Sequence, residues 1–427
     1  LAVYVDVPNA PLGAGVNETY ELNVSVGVST LHAATVWGAL HGLTTFLQLV
    51  NVNATVGCGS VEVADAPAYQ HRGLLLDTAR HFLPVDTLKA QISAMTANKL
   101  NVLHLHLTDA QSFPVDSQQF PGFVKGAYSP ALTYSIADLQ AVVEFAAARG
   151  VRVVPEVDVP GHAYAFKAGY PSAVAQCPPS LSANINNFPL DVTKDSTVNL
   201  VTGLFNELMA VFTDTLLHAG GDEVVTSCWS GDPTIAAWMR DHGFGSDYTK
   251  LLNYFLQDVD GNITATGHAP VHWYNSMTAA VELPASAVFQ VWHDAASGEI
   301  AKAAASGHRV IVSNSDKWYL NCGFNPSCPY VSWEDVYTNS ALTDGLTPSE
   351  AAAVIGGEGV LFGEFADKTD VEQQLWPRAA AVAEALWAGS PESITSATPR
   401  LHNHRCRMVR MGVQAAPLGP GFCSGVW

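Results

Sequence analysis

Asp222 and Glu223 are neighbouring carboxylates that follow His218-Ala-Gly-Gly. Two acids held close together cannot both ionise easily, so one is raised and becomes a general acid near neutral or mildly acid pH. Most Asp-Glu pairs are solvated loop acids with no such task. The His-x-Gly-Gly lead sets this pair apart, because glycines let the backbone turn and approach a ligand. Other polar residues close further apolar segments. Asp77 and Arg80 end one, and Asp109 follows His104 and His106. Glu156, Asp158 and His162 end another. Trp273 with Tyr274, Trp292 with His293 and Asp294, Trp318 with Tyr319, and then Glu364 close the later ones.

This mixture suits a sugar. Aromatic faces stack on the apolar face of a pyranose ring, and carboxylates and arginine bind hydroxyls through charge-assisted hydrogen bonds. No GxGxxG or other phosphate loop follows a strand-like segment, which argues against a nucleotide. His104 and His106 are two apart, so on a strand they face the same way, as zinc ligands can. No bridging lysine or further histidine pair closes a later segment, and the structural reading of the two is preferred.

The segments that must carry these residues read as strands: 73–77, 101–107, 151–157, 216–220, 271–274, 288–292, 310–313 and 360–365. Helical patterns lie between most of them, as at 85–99, 136–149 and 198–212, whereas 321–356 has no clear pattern. The alternation predicts an α/β fold, a (β/α)8 TIM barrel over 68–427 including the C-terminal tail. Its functional groups belong at the C-terminal strand ends. Residues 1–67 read as a small α/β N-terminal domain, with a strand at 20–28 and a helical pattern over 31–50.

Charged residues are only 14% of the 427, and the formal net charge is −19. So acidic a surface argues against nucleic acid or an anionic membrane as partner. No apolar run is long enough for a transmembrane helix. The first residues lack a basic, then apolar, leader, so either a signal peptide has been removed or the chain begins partway through a domain. Sequons at Asn17, Asn23, Asn53 and Asn262 point to a secretory-pathway glycoprotein. Seven cysteines fit that compartment. Cys322 and Cys328 are close enough for a local staple, Cys406 and Cys423 bracket the tail, and Cys177 and Cys228 would clamp a long excursion. That leaves Cys58 with a missing upstream partner or as a free thiol.

His71-Arg-Gly-Leu-Leu-Leu-Asp77-Thr-Ala-Arg80, Asn101-Val-Leu-His104-Leu-His106 with Asp109, Pro155-Glu-Val-Asp158-Val-Pro-Gly-His162 and His218-Ala-Gly-Gly-Asp222-Glu223-Val occur in that order. Together with Leu375-Trp-Pro-Arg378 and Leu401-His-Asn-His-Arg-Cys406, they resemble the family 20 glycoside hydrolases, the β-N-acetylhexosaminidases of the eukaryotic lysosomal type. The resemblance covers nearly the whole chain, with an N-terminal domain that looks cut short. It implies exo-acting removal of terminal GlcNAc or GalNAc from glycans or chitin oligomers, by a substrate-assisted retaining mechanism outside the usual two-carboxylate scheme. It implies Glu223 as the acid and then the base, Asp222 as orienter of the acetamido N–H, and Tyr319 as donor to the acetamido oxygen. Trp273, Trp292 and Trp387 would wall the sugar pocket, although Trp387 falls in a helical pattern where a core role is the plainer reading. Arg80 and Glu364 would bind outer hydroxyls, with Asp158 and His162 supporting the acid. It also supports the Cys177–Cys228 and Cys406–Cys423 pairings, and implies no metal or cofactor.

Four positions depart from the family pattern. Leu105 and Phe362 stand where tryptophan is usual, and Ala110 and Asn321 where acids are. The Asn321 departure bears on the choice between gluco and galacto sugars. The four together motivate an alternative, a catalytically impaired member serving as a sugar-binding or structural extracellular glycoprotein. The expected partner is a carbohydrate with a terminal N-acetylhexosamine; a homodimer or extracellular assembly stays open. The expected setting is the secretory pathway, whether lysosome or vacuole, cell surface or exterior.

Overall fold

The computed structural model describes residues 1–50, 59–324, 326, 328–339 and 342–423. It opens with a sheet ordered β1-β3-β2-β4: β1 (Ala2–Val7), β2 (Tyr20–Val24), β3 (Thr30–Thr35) and β4 (Val61–Asp65). Helix α1 (Val36–Leu49) packs on it. The helix expected from residue 31 starts five residues later. Leu31, Ala33 and Thr35 alternate inward as β3, which pairs with both β1 and β2, and Thr35 then caps α1 through the Gly38 amide. The strand expected over 20–28 ends at Val24, where Ser25 bonds Val28 across a turn.

Eight parallel strands then close a barrel: β5 (His71–Asp77), β6 (Val102–His106), β7 (Arg152–Glu156), β8 (Leu216–His218), β9 (Ala269–Trp273), β10 (Val288–Val291), β11 (Arg309–Val312) and β12 (Val354–Leu361). β12 pairs with β5 to complete it. Crossovers include α2 (Val85–Ala97), α3 (Ile136–Ala147), α4 (Asp195–Met209), α5 (Tyr248–Ala265) and α6 (Glu299–Ala305). The expected eighth strand at 360–365 is displaced. The real strand starts at Val354 and stops at Leu361, and its Gly-Gly-Glu-Gly centre hides the apolar pattern. Gly356 is required there, since a Cβ would collide with the carbonyl of His71 on β5. The segment before it, patternless in sequence, holds two short helices, Trp333–Thr338 and Pro348–Ala353. After β12 come α7 (Arg378–Ala388) and α8 (Ile394–Arg410). Among the described residues no helix is long and apolar enough to cross a membrane.

Strand alternation sorts the barrel into an outside and a layered inside. Leu74, Leu76, Leu103 and Leu105 face the helices in the large outer core. Inside, Val102, Val154, Leu216, Val271, Val288, Ile311 and Ile355 fill one apolar layer. The next residues inward along the same strands are polar: His104, Glu156, His218, Gln290 and Glu358, all buried. Gly73 makes room for them, because a Cβ there would run into the Glu358 side chain. Above them Leu75, Trp273 and Val360 meet Trp292, Tyr319 and Phe362 at the rim.

Trp387 is a correction. It lies on α7 at the other end of the barrel and walls no sugar pocket. Its indole donates to Asp65 at 2.9 Å, and Arg72 and Lys99 stack on its ring at 5.1 and 4.1 Å. Together they join the N-terminal sheet to the barrel. Arg72, fully buried, grips both Glu18 oxygens at 2.8 and 2.9 Å, and His41 bonds the same carboxylate at 2.8 Å. Burial opposes its ionisation, but the His41 and Arg72 bonds carry the Glu18 pKa down to about 2. The described cysteines pair as Cys177–Cys228, Cys322–Cys328 and Cys406–Cys423. Cys58 and the Asn53 sequon lie outside the described residues.

Replacing Arg72 by Met leaves Glu18 buried without its cation, a class of change that costs about 3–5 kcal/mol. Equilibrium denaturation near neutral pH should show that loss. Because the folded-state pKa of Glu18 is depressed, its stabilisation is present above the unfolded value and fades as pH falls towards 2. The gap between wild type and Arg72→Met should therefore narrow in acid. A constant gap from pH 7 to pH 3 would contradict this account.

Candidate active site

The rim at the C-terminal strand ends gathers the residues singled out above. β5 ends in Asp77, which receives the amides of Ala79, Arg80 and Gly363 and holds the Arg80 guanidinium at 3.1 Å. Arg80 also reaches Asp109 at 2.7 Å, just beyond β6. Asp109 in turn contacts His106 at 3.0 Å and His162 at 3.2 Å. The far nitrogen of His162 lies 3.3 Å from Glu223 and 3.9 Å from Asp222. Arginine, aspartate, histidine and glutamate thus run in one line across four strand ends.

The charges along this line follow from their neighbours. Burial disfavours ionising Asp109, but Arg80 and His162 hold its pKa far below the usual carboxylate range. Burial also opposes the charged form of His162, yet Asp109 and Asp158 raise it well above its ordinary value. A cationic His162 then hydrogen-bonds Glu223 and lowers that carboxyl. The pair whose pKa values rise is Asp158 with Asp222: burial raises both, the charge of Asp222 raises Asp158 further, Glu223 and Glu156 add to the rise of Asp222, and the hydrogen bond between the two favours the charged form of Asp222. One of the adjacent acids is raised, as expected, but it is Asp222, hydrogen-bonded to Asp158, and not Glu223, which is 60% exposed at its side chain and turns to His162. Two consecutive glycines allow this. Gly220 and Gly221 have φ of +63° and +95°, and Glu223 itself has +47°. The Gly221 amide donates to Asp158 at 3.0 Å, and the Gly220 carbonyl accepts from the Trp273 amide at 3.0 Å and from His272 at 3.3 Å.

Beside the acids is an aromatic box. Phe362 lies 6.2 Å from Trp273 and 5.5 Å from Tyr319, ring to ring, and Arg80 stacks on Phe362 at 5.1 Å. Trp292 joins the same cluster. Several buried polar atoms around it have no protein partner: Oδ1 of Asp222, Nε1 of Trp292, Oδ1 of Asn321 and Oε2 of Glu364. Unpaired buried polar atoms cost free energy, so a ligand with matching donors and acceptors would bind here. Burial and the charge of Asp222 push the Tyr319 hydroxyl well above its ordinary pKa, so it stays a donor. Of the departures, Leu105 faces the outer helices and touches nothing in this box. Phe362 keeps an aromatic face but offers no N–H, Asn321 offers a neutral amide, and Ala110 donates its own amide to Asp109.

Sequence reasoning placed His104 and His106 as structural, and they are buried, but it missed the carboxylates that hold them. Each of His104 and His106 is held between two carboxylates. His104 lies 2.9 Å from Glu358 and 3.0 Å from Glu156, and His106 lies 2.5 Å from Glu156 and 3.0 Å from Asp109. Glu358 fell outside the strand as first placed, although a lone acid among glycines was its signal. His272, between Val271 and Trp273, turns out to the helix side and bonds Asp260 of α5 at 3.0 Å.

Residues 69–390 match the family model described as "Glycosyl hydrolase family 20, catalytic domain", and residues 1–49 match one described as "beta-acetyl hexosaminidase like". The chain is 35% identical to beta-hexosaminidase subunit A1 of Dictyostelium discoideum, over 99% of this chain and 79% of that one. It is 38% identical to the human beta-hexosaminidase subunit beta, over 96% of this chain and 73% of that one. A solved chitobiase from Flavobacterium johnsoniae superposes with a TM-score of 0.84 at 28% identity, over 96% of this chain and 63% of that one.

The loop geometry makes Gly220 intolerant of a side chain. A Cβ would overlap Asp158 Oδ1, at a backbone φ that other residues rarely adopt. Gly220→Ala should cost about 1–3 kcal/mol in thermal or chemical melting. The control Gly243→Ala also has positive φ but open space around it, and should cost less. Equal losses would mean that crowding at Asp158 is irrelevant.

Proposed function

The chain belongs to glycosyl hydrolase family 20, and from that premise we propose how its residues carry out exo-acting β-N-acetylhexosaminide hydrolysis. The terminal sugar lies in the box of Trp273, Trp292, Tyr319 and Phe362. Glu364 and Arg80 face its outer hydroxyls. The carbonyl oxygen of the substrate's own 2-acetamido group attacks the anomeric carbon and closes an oxazolinium ring. Asp222 accepts the acetamido N–H and stabilises the positive charge that develops there. Tyr319 donates to the attacking oxygen and orients it. Glu223 gives its proton to the leaving glycosidic oxygen as that bond breaks, then takes one from the water that opens the ring. The same carboxyl ends the cycle protonated, and the anomeric configuration is retained.

One observation carries this reading: the outward turn of Glu223 onto a cationic His162, next to an Asp222 that has an unpaired buried oxygen. An acid must be protonated to act, and free Glu223 is held low by His162. A bound sugar strips water from its exposed carboxyl, which favours the neutral form. The oxygen of Asp222 without a partner supplies the acceptor that the acetamido N–H requires. The impaired alternative gains no support, since the acid, its orienter and the tyrosine are all in place.

We also propose a boundary near residue 67, supported by the separate matches at 1–49 and 69–390. Three disulfides and the exposed sequons at Asn17 and Asn23 support a secretory-pathway glycoprotein. Asn262 is half-buried on α5 and is the weaker acceptor.

Release of a fluorophore from paired β-N-acetylglucosaminide and β-N-acetylgalactosaminide substrates tests the activity. Glu223→Gln should lower kcat by about 10²–10⁴-fold on both. Unchanged turnover in that variant would overturn the assignment of the acid. The pH profiles give a second test. The basic limb of kcat/KM reports free enzyme, where Glu223 is lowered, and that of kcat reports the complex, where burial raises it. The kcat limb should lie at higher pH; coincident limbs would refute the desolvation argument.

A further inference from the structure

Beneath the aromatic box lies a carboxylate that the chemistry above does not use. Glu156 ends β7 and is fully buried. One of its oxygens accepts the indole N–H of Trp273 at 2.6 Å. The other lies 2.5 Å from His106 and 3.0 Å from His104. Both lone-pair regions of the carboxylate are therefore committed, one to the pocket and one to the barrel interior. Trp273 has no other side-chain hydrogen-bond partner among the described residues, and it is 2% exposed. Its ring can tilt only if the bond to Glu156 breaks.

We propose that Glu156 is a positioning residue for the hydrolysis, fixing the indole of Trp273 as a rigid wall against which the substrate's acetamido group is pressed into line with the anomeric carbon. The inference rests on the sugar-pocket reading given above. The physical argument is one of competing freedoms. An indole ring packed only by dispersion would keep some freedom to tilt about its side-chain torsions. A charge-assisted N–H···O⁻ bond between two groups buried from bulk solvent removes that freedom. Intramolecular attack depends steeply on alignment, and a misplacement of about 1 Å can cost roughly a hundredfold in rate. The sugar's outer hydroxyls, by contrast, are held in this reading by Arg80 and Glu364, which do not depend on the tilt of this ring.

Glu156 is itself held in place from below. His104 bridges it to Glu358, which also binds His71 at 2.7 Å and Gln290 at 2.9 Å. Against burial, the charges of Glu358 and Glu156 lift the His104 pKa to about 9, so this bridge stays cationic across the working range. His106 continues the same series to Asp109 and so to His162. The wall of the pocket and the partner of the acid thus hang from one carboxylate.

The test uses two variants. Glu156→Gln keeps the volume and removes the charge; Trp273→Phe keeps an aromatic ring, removes the donor together with part of the indole that packs on His218 and His104, and leaves the contacts of His104 and His106 with Glu156 in place. Thermal melting identifies a Glu156→Gln protein that does not fold, in which case Trp273→Phe decides alone. In folded protein, kcat should fall about 10–100-fold in either variant, with KM changed less than about threefold. A stable thiazoline analogue of the cyclised acetamido intermediate should lose affinity by a similar factor, while N-acetylglucosamine should not. The double variant should be no worse than the poorer single one. Active wild type with folded variants that keep kcat and thiazoline affinity would overturn this proposal and leave the functional reading intact. Wild type that neither turns over substrate nor binds the thiazoline would overturn the functional reading, and this one with it.

Discussion

The barrel is organised around ionised groups buried from bulk solvent. Glu156 and Glu358 lie within its interior, each nearly inaccessible, among His71, His104, His106 and His218. A buried charge is tolerable only when its partners are correctly placed, and removing one partner strands the other. Here the partners come from β5, β6, β7 and β12, and Gln290 adds β10. A slip of any of these strands by one residue would turn a histidine or a glutamate outward to the apolar helices. The ionic layer therefore fixes register as well as charge. Its titration pattern is mixed: His104 is raised to about 9, whereas burial holds His218 down to about 3. Adjacent rings of one residue type thus differ in charge because only one sits between two carboxylates.

The rim inherits that order. Asp109 receives His106 from the layer below and passes its remaining oxygen to His162. Arg80 is wedged between Asp77 and Asp109, so it presents a fixed cation to the pocket instead of a mobile one. The Gly220-Gly221 turn brings Asp222 against Asp158, and Gly161 must lack a side chain because the Asp222 carbonyl would lie 2.7 Å from its Cβ. The backbone strain at Glu223 and His162, both with positive φ, falls where the acid meets its partner. The Cys177–Cys228 bridge ties the segment after this loop to the one after His162. A protein with few charged residues has therefore placed a connected set of buried ionic contacts beneath and around this pocket.

Much of this was legible in order but not in place. The first three barrel strands ran as apolar segments ending in Asp77, in His106 and in Glu156, and each was read within two residues of its true bounds. β12 was misplaced because a Gly-Gly-Glu-Gly strand carries no apolar signal; its glycines answer to the neighbouring strand and not to a local preference. The start of α1 was misread because a buried strand and the helix after it form one apolar stretch. Trp387 was assigned to the pocket by analogy, but its helix begins beyond β12 and returns to the floor of the barrel, where Arg72 and Lys99 take its ring.

The sequence by itself determined which residues could do chemistry. Residue type sets proton affinity, donor count and aromatic surface, and the spacing of apolar segments sets which types reach a common rim. The tertiary structure decided which of them act together. Asp222 is paired with Asp158, 64 positions earlier, and not with its neighbour Glu223. Glu223 is lowered by His162, and His104 and His106 serve two carboxylates from other strands. The reason is that the free energy of a charge depends on what lies within a few ångströms and on whether water is there. Those distances are set by strand pairing across the barrel, which no local window of sequence contains.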